Sequence, residues 1–147
     1  MDLKRNKMSD IEEGRETEMS TGTGPAPNLD HFFEEVKKIK DEMDKVRKLL
    51  SFLQVANEES KTITKAQAMK DLRDRMDKHI REILRETKLI KSKLEDLDRA
   101  NLNNRRIPGC EEGTSTDRTR MSITNGLRTT LKALMKDFKD LRESMRL

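Results

Sequence analysis

Tryptophan and tyrosine are absent, and Phe32, Phe33, Phe52 and Phe138 are the only aromatics. A β-sandwich or barrel draws on aromatic and β-branched strands, and a deep ligand pocket is lined by apolar and aromatic side chains. Both an all-β fold and an enzyme built on such a pocket are therefore set aside. A single cysteine, Cys110, allows no internal disulfide, which excludes a stapled secreted domain. No apolar run approaches the ~20 residues of a bilayer span. The opening Met1-Asp2-Leu3-Lys4-Arg5-Asn6-Lys7 has no apolar core for a secretory signal. No Asn-x-Ser/Thr acceptor occurs either. These absences predict a soluble, intracellular chain with no transmembrane anchor of its own.

Charge is what the chain has in abundance. Lys and Arg number 32 and Asp and Glu 28 among 147 residues, 41% of the total, against a usual share of ~25%. Such a composition with many Leu, Ile and Met suits long helices that each bury one stripe. The net charge of +4 is a small excess over a well-mixed total. A nucleic-acid binder concentrates its positive charge and adds stacking aromatics, so nucleic acid is set aside as a partner. The last segment, 117–147, holds eight Lys or Arg against four Asp or Glu. That excess favours an acidic partner or an anionic membrane surface.

Residues 1–28 read as a disordered arm, mixing charge with Ser, Thr, Gly and Pro and offering too few apolar side chains to offset the entropy of ordering. From Leu29 the steps alternate three and four: Leu29, Phe32, Val36, Ile39, Met43, Val46, Leu50, Leu53. This is the heptad seam of a helix packed on other helices. Asn28 or Asp30 is the expected cap. The continuing positions, Asn57, Ser60, Thr64 and Gln67, are polar, yet no Gly or Pro lies between Pro27 and Pro108. A break is placed at Thr62-Ile63-Thr64, with Thr64 and Gln67 as a capping box for the second helix. Its seam runs Met69, Leu72, Met76, Ile80, Ile83, Thr87, Ile90, Leu94, Leu97. Ile107-Pro108-Gly109 forces a loop. The third seam is Leu127, Leu131, Leu134, Phe138, Leu141, Met145, with Met121 and Ile123 less regular and Gly126 a weak point. The reading is an all-α, antiparallel up-down-up three-helix bundle, with helices at about 29–57, 64–103 and 117–147.

Chemistry is sparse. His31 and His79 are 48 positions apart with no Cys or His at ligand spacing, so both read as surface or cap histidines and no metal is expected. Cys110 reads as a tolerated loop thiol whose exposure leaves it open to oxidation. Gly109-Cys110-Glu111-Glu112-Gly113-Thr114-Ser115 is no phosphate loop, having no Lys and two carboxylates where phosphate would sit. Carboxylates interleave with Lys and Arg as helical ion pairs. Met43, Met69, Met76 and Met145 fall on seams, where they fill core. No enzyme activity and no cofactor is expected, and the residues alone support an interaction module. A free-standing structural bundle that self-associates through its heptads is the alternative.

Several blocks, in order, carry a resemblance. Asn28-Leu29-Asp30-His31-Phe32-Phe33-Glu34-Glu35-Val36 resembles the opening of the first helix of plant plasma-membrane syntaxins. Asn57-Glu58-Glu59-Ser60-Lys61-Thr62 is similar to their first interhelical loop. Met69-Lys70-Asp71-Leu72-Arg73-Asp74-Arg75-Met76-Asp77 and Ile90-Lys91-Ser92-Lys93-Leu94-Glu95 resemble their second helix. Pro108-Gly109-Cys110 and Ser115-Thr116-Asp117-Arg118-Thr119-Arg120 resemble the loop that opens their third. Asp10-Ile11-Glu12-Glu13-Gly14 is similar to the acidic arm before the bundle. The resemblance implies the regulatory three-helix (Habc) domain of a target-membrane (Qa-type) SNARE over 29–147, truncated before the SNARE motif and membrane anchor. It further implies vesicle docking, fusion and exocytosis at the cytosolic face of the plasma membrane or endomembranes. The implied partners are SNARE-motif helices, held in a groove between the second and third helices, and Sec1-type regulators. Met1-Asp2-Leu3-Lys4 departs from the short apolar N-terminal peptide of these syntaxins.

Overall fold

A computed structural model describes residues 26–145, with side chains described from Leu29 onward. The expected arm, apart from its last three residues, lies outside the described residues. Three helices follow: α1 (Ala26–Ser60), α2 (Ala66–Asn104) and α3 (Ser115–Ser144). No strand occurs among the described residues. The chain divides into two units, residues 1–35 and 36–147. In the first, the opening turns of α1 bury Leu29 and Phe32, and the Phe32 and Phe33 rings lie 5.5 Å apart, tilted.

The second unit is a three-helix bundle. Glu59 of α1 meets Arg75 near the start of α2, and Glu42 meets Lys93 farther along it, so these helices run antiparallel. Asp98 of α2 pairs with Arg128 of α3, while Thr87 donates to the Met135 Sδ at 3.3 Å. Those helices are antiparallel too. Asn57 donates to the Ser144 hydroxyl at 2.9 Å, which brings the C-terminal ends of α1 and α3 together. The order is up-down-up, as the seams require.

The seams are buried where the alternation is regular. Val36, Ile39, Met43, Val46 and Leu53 of α1 face the interior, as do Leu72, Met76, Ile83, Thr87, Ile90, Leu94 and Leu97 of α2. In α3 the buried set is Leu127, Leu131, Leu134 and Phe138. The seam is looser at Leu50, Met69, Ile80, Leu141 and Met145, which are half-buried.

The first turn forms without Gly or Pro. The last turn of α1 tightens, with Lys61 N–H donating to Glu58 O and Thr62 N–H to Glu59 O, both at 3.1 Å. The Ser60 hydroxyl also donates back to Asn57 O at 2.6 Å, competing with continuation of the helix. The expected capping box is absent. Lys65, not Thr64, stands at the N-cap, and its ammonium has no acceptor to offer the first turn; the Gln67 amide donates forward to Asp71 at 2.9 Å instead of reaching back. The second connection is longer. Gly109 and Gly113 both sit at φ +88°, a left-handed conformation that costs glycine little.

Candidate interaction surfaces

The opening of α3 solves a problem that the sequence leaves open. Upstream of Leu127, the inward positions are not Met121 and Ile123, which are half-buried, but Asp117, Arg120 and Thr124. They continue the three-four alternation in polar residues. Facing them, Asn101 and Asn104 continue the α2 seam past Leu97. The Asn101 amide donates to the Thr124 hydroxyl at 2.9 Å and its carbonyl accepts from Arg120 Nη1 at 3.1 Å. Arg105 Nε donates to Asp117 Oδ1 at 2.8 Å, and Asp117 Oδ2 accepts from Gly113 N–H at 3.0 Å. Thr114 caps α3, its hydroxyl accepting from Asp117 N–H at 3.3 Å.

These contacts fasten the 105–114 loop across both helix ends. The Arg105 guanidinium and the Gly113 N–H hold the Asp117 carboxyl below its ordinary range. Burial lowers the Arg120 pKa, opposed by the nearby Cys110 and Asp117. Cys110 is 2% exposed, which corrects the expectation of an accessible, oxidisable thiol. The loop folds its side chain inward, its N–H donating to Ile107 O at 2.9 Å. The sequence signal for this cluster is the spacing 117, 120, 124, 127, legible once polar residues are admitted to a seam.

A second feature is a concavity of about 540 Å³ between the C-terminal halves of α1 and α3. Leu50, Leu134 and Leu141 give it an apolar floor, and Arg47, Glu58 and Asp137 stand at its walls. The α2–α3 face, where the resemblance places a partner helix, is pinned at Asp98–Arg128 (2.6 Å) and at Asn101–Thr124.

The third feature is a carboxyl pair between α1 and α2. Glu86, beside Glu42 and partly buried, has its carboxyl held above the ordinary range, while Glu42 is held below it. Lys45 and Lys93, 3.7 Å from Glu42, favour its charged form. Two carboxyls placed this close favour ionisation of one over the other.

Neither histidine joins a cluster. His31 is exposed beside Glu34, and His79 is half-buried beside Glu82 with its ring 5.7 Å from Phe52. Among the described residues no group of three His, Cys, Asp or Glu is placed to hold a metal, and no helix is long and apolar enough to cross a membrane.

Comparisons with known proteins converge on one family. The syntaxin family model matches residues 26–147, covering all three helices. Syntaxin-125 of Arabidopsis thaliana is 45% identical over 145 residues, 97% of this chain and 46% of that protein. Syntaxin-111 of Oryza sativa subsp. japonica is 40% identical over 145 residues, covering 97% of this chain and 47% of its own length. The syntaxin-related protein KNOLLE of Arabidopsis thaliana is 38% identical over 149 residues, 99% of this chain and 47% of that protein. The chain thus spans about half the length of the curated relatives it matches. No solved structure matches.

Proposed function

The chain belongs to the syntaxin family, and on that premise we propose that it is the regulatory three-helix domain, residues 29–147, of a target-membrane SNARE. It acts in vesicle docking, fusion and exocytosis by binding helices. The observation that carries this reading is the family match across α1, α2 and α3 together. The burial of one seam along each helix supports it, because a folded bundle presents its outer faces to partners. Its place is the cytosolic face of the plasma membrane or an endomembrane.

The partner is a SNARE-motif helix lying along the α2–α3 face, with Sec1-type regulators as further ligands. Such a contact is made within one chain when a linker tethers the two parts. A short flexible linker supplies an effective concentration near millimolar, so the same contact in trans is weak, with Kd on the order of 10–1,000 μM. Titration of the purified chain against a fluorescently labelled syntaxin SNARE helix tests this. Saturable binding in that range, with slowed SNARE assembly at high chain concentration, is the expected result. No binding at millimolar chain would remove the reading. A stable oligomer in sedimentation at micromolar concentration would replace it with a self-associating structural bundle.

A further inference from the structure

Many cations on this surface are answered by a carboxylate one turn away. Lys37 meets Asp41 at 3.2 Å, Lys70 meets Asp74 at 3.3 Å and Lys136 meets Asp140 at 2.9 Å. The positive excess of the last segment is reduced in the same way. Arg120 is buried and Arg128 is held by Asp98. The middle of α2 differs. Lys78, Arg81, Arg85, Lys88 and Lys91 are all exposed, and none forms an ion pair. No exposed acid lies between Asp77 and Glu95. The two carboxylates in that interval are half-buried, Glu82 beside His79 and Glu86 against Glu42 of α1.

The spacing makes these cations one ridge. Positions 78, 81, 85 and 88 step by three and four, so they share a helical face. That face points away from Met76, Ile83, Thr87 and Ile90, which are buried. At ~1.5 Å per residue the ridge is about 15 Å long. Leu84 and Leu89 flank it on either side, 48% and 41% exposed.

We propose that this ridge of α2 binds the surface of a bilayer containing anionic phospholipids, with Lys78, Arg81, Arg85 and Lys88 over the headgroups and Leu84 and Leu89 at its flanks against the same surface. Shape favours a bilayer over an acidic protein helix. The ridge is the outermost line of one convex helix, with no concave wall to seat a partner helix. A flat anionic sheet reaches these four cations at once, with a leucine on either flank. Long Lys and Arg stems lie along apolar surface while their heads reach phosphate. The inference does not depend on which SNARE helix the bundle binds.

Co-sedimentation of the whole chain with phosphatidylcholine vesicles, with and without phosphatidylserine, tests it. Binding is expected only with phosphatidylserine, and it should fall as salt is raised. Each cation near an anionic surface strengthens partitioning about fivefold, so Arg81→Gln with Arg85→Gln should weaken binding about 25-fold. Lys37→Gln with Lys136→Gln removes the same net charge from paired sites and should change binding less than about twofold by the same rule. Leu84→Ser with Leu89→Ser should weaken binding while leaving its salt dependence intact. All six positions are exposed, and thermal unfolding of each variant is compared first so that a folding defect is not read as lost binding. No binding to phosphatidylserine vesicles at low salt would overturn the proposal. Equal loss in the two charge pairs would overturn it as well. Retention on immobilised polyglutamate without vesicle binding would assign the ridge to an acidic protein instead.

Discussion

The α2–α3 interface has two stretches built on one spacing with opposite chemistry. From Thr87 to Leu97 on α2, and from Leu127 to Phe138 on α3, the inward side chains are almost all apolar. From Asn101 and Asn104, across to Asp117, Arg120 and Thr124, they are polar or charged and equally buried. The apolar stretch gains by removing surface from water and tolerates small changes of alignment, because dispersion and burial are not directional. The polar stretch has a directional requirement. Asn101 meets Thr124 with its donor and Arg120 with its acceptor at hydrogen-bond distance, and that match admits one register, though Asn104 Nδ2 and Arg120 Nε are buried without a hydrogen-bond partner among the described residues. The first stretch supplies stability, and the second specifies how the 105–114 loop returns the chain.

The comparison is broken most severely by Leu94→Asp. An unpaired carboxylate would replace a buried apolar side chain, and loss of about 3–5 kcal/mol is expected, seen as cooperative unfolding of all three helices at a lower midpoint in a denaturant titration. Lys91→Ala, one turn away and exposed, should stay within about 0.5 kcal/mol of the parent. In the polar stretch, Asn101→Ala strands the Thr124 hydroxyl and one Arg120 donor. It should cost about 2 kcal/mol, and hydrogen exchange should rise first in residues 105–120, before the apolar stretch opens.

The carboxyl pair gives a smaller effect with a sign that depends on pH. The folded-state pKa of Glu86 lies above its unfolded value, because Glu42 and burial favour the protonated form. Its stabilising contribution is therefore complete below the unfolded value and fades as pH rises through the folded one. Glu86→Gln keeps a donor toward Glu42 at every pH. The variant should gain on the parent by up to about 1 kcal/mol at neutral pH, and the difference should shrink below the ordinary glutamate range. Thermal unfolding at several pH values reads this directly. Gly126→Ala is smaller still or comparable. A Cβ there meets nothing within 4 Å, so a helical glycine is replaced without a clash and a gain of about 0.5–1 kcal/mol in the melting experiment is expected.

Periodicity carried the fold because each helix buries one side, and a buried side must recur every three or four residues whatever its neighbours do. Leu29 through Leu53, Leu72 through Leu97 and Leu127 through Phe138 therefore announce the three helices and their inward faces without reference to one another. The family resemblance was legible for a related reason, since several of its blocks lie at helix openings and loops where local geometry constrains the residues. What lay beyond reach were facts that need two segments at once. Arg120, one of the cations of the basic last segment, turns inward only because Asn101 of α2 waits there. Cys110 becomes buried only because its loop is tied down at Arg105 and Asp117. Thr64 does not cap α2, since the choice between Gln67 reaching back and Gln67 meeting Asp71 is decided by competing hydrogen bonds that spacing cannot rank. The ridge on α2 is likewise a property of the folded state. Its charges stand in the sequence, but only the inward placement of Glu82 and Glu86 leaves them without an ion pair among the described residues. Burial periodicity is a local consequence of the hydrophobic effect, and the chain determined it alone. Which polar group meets which is a pairing between distant residues, and only the packed bundle decided it.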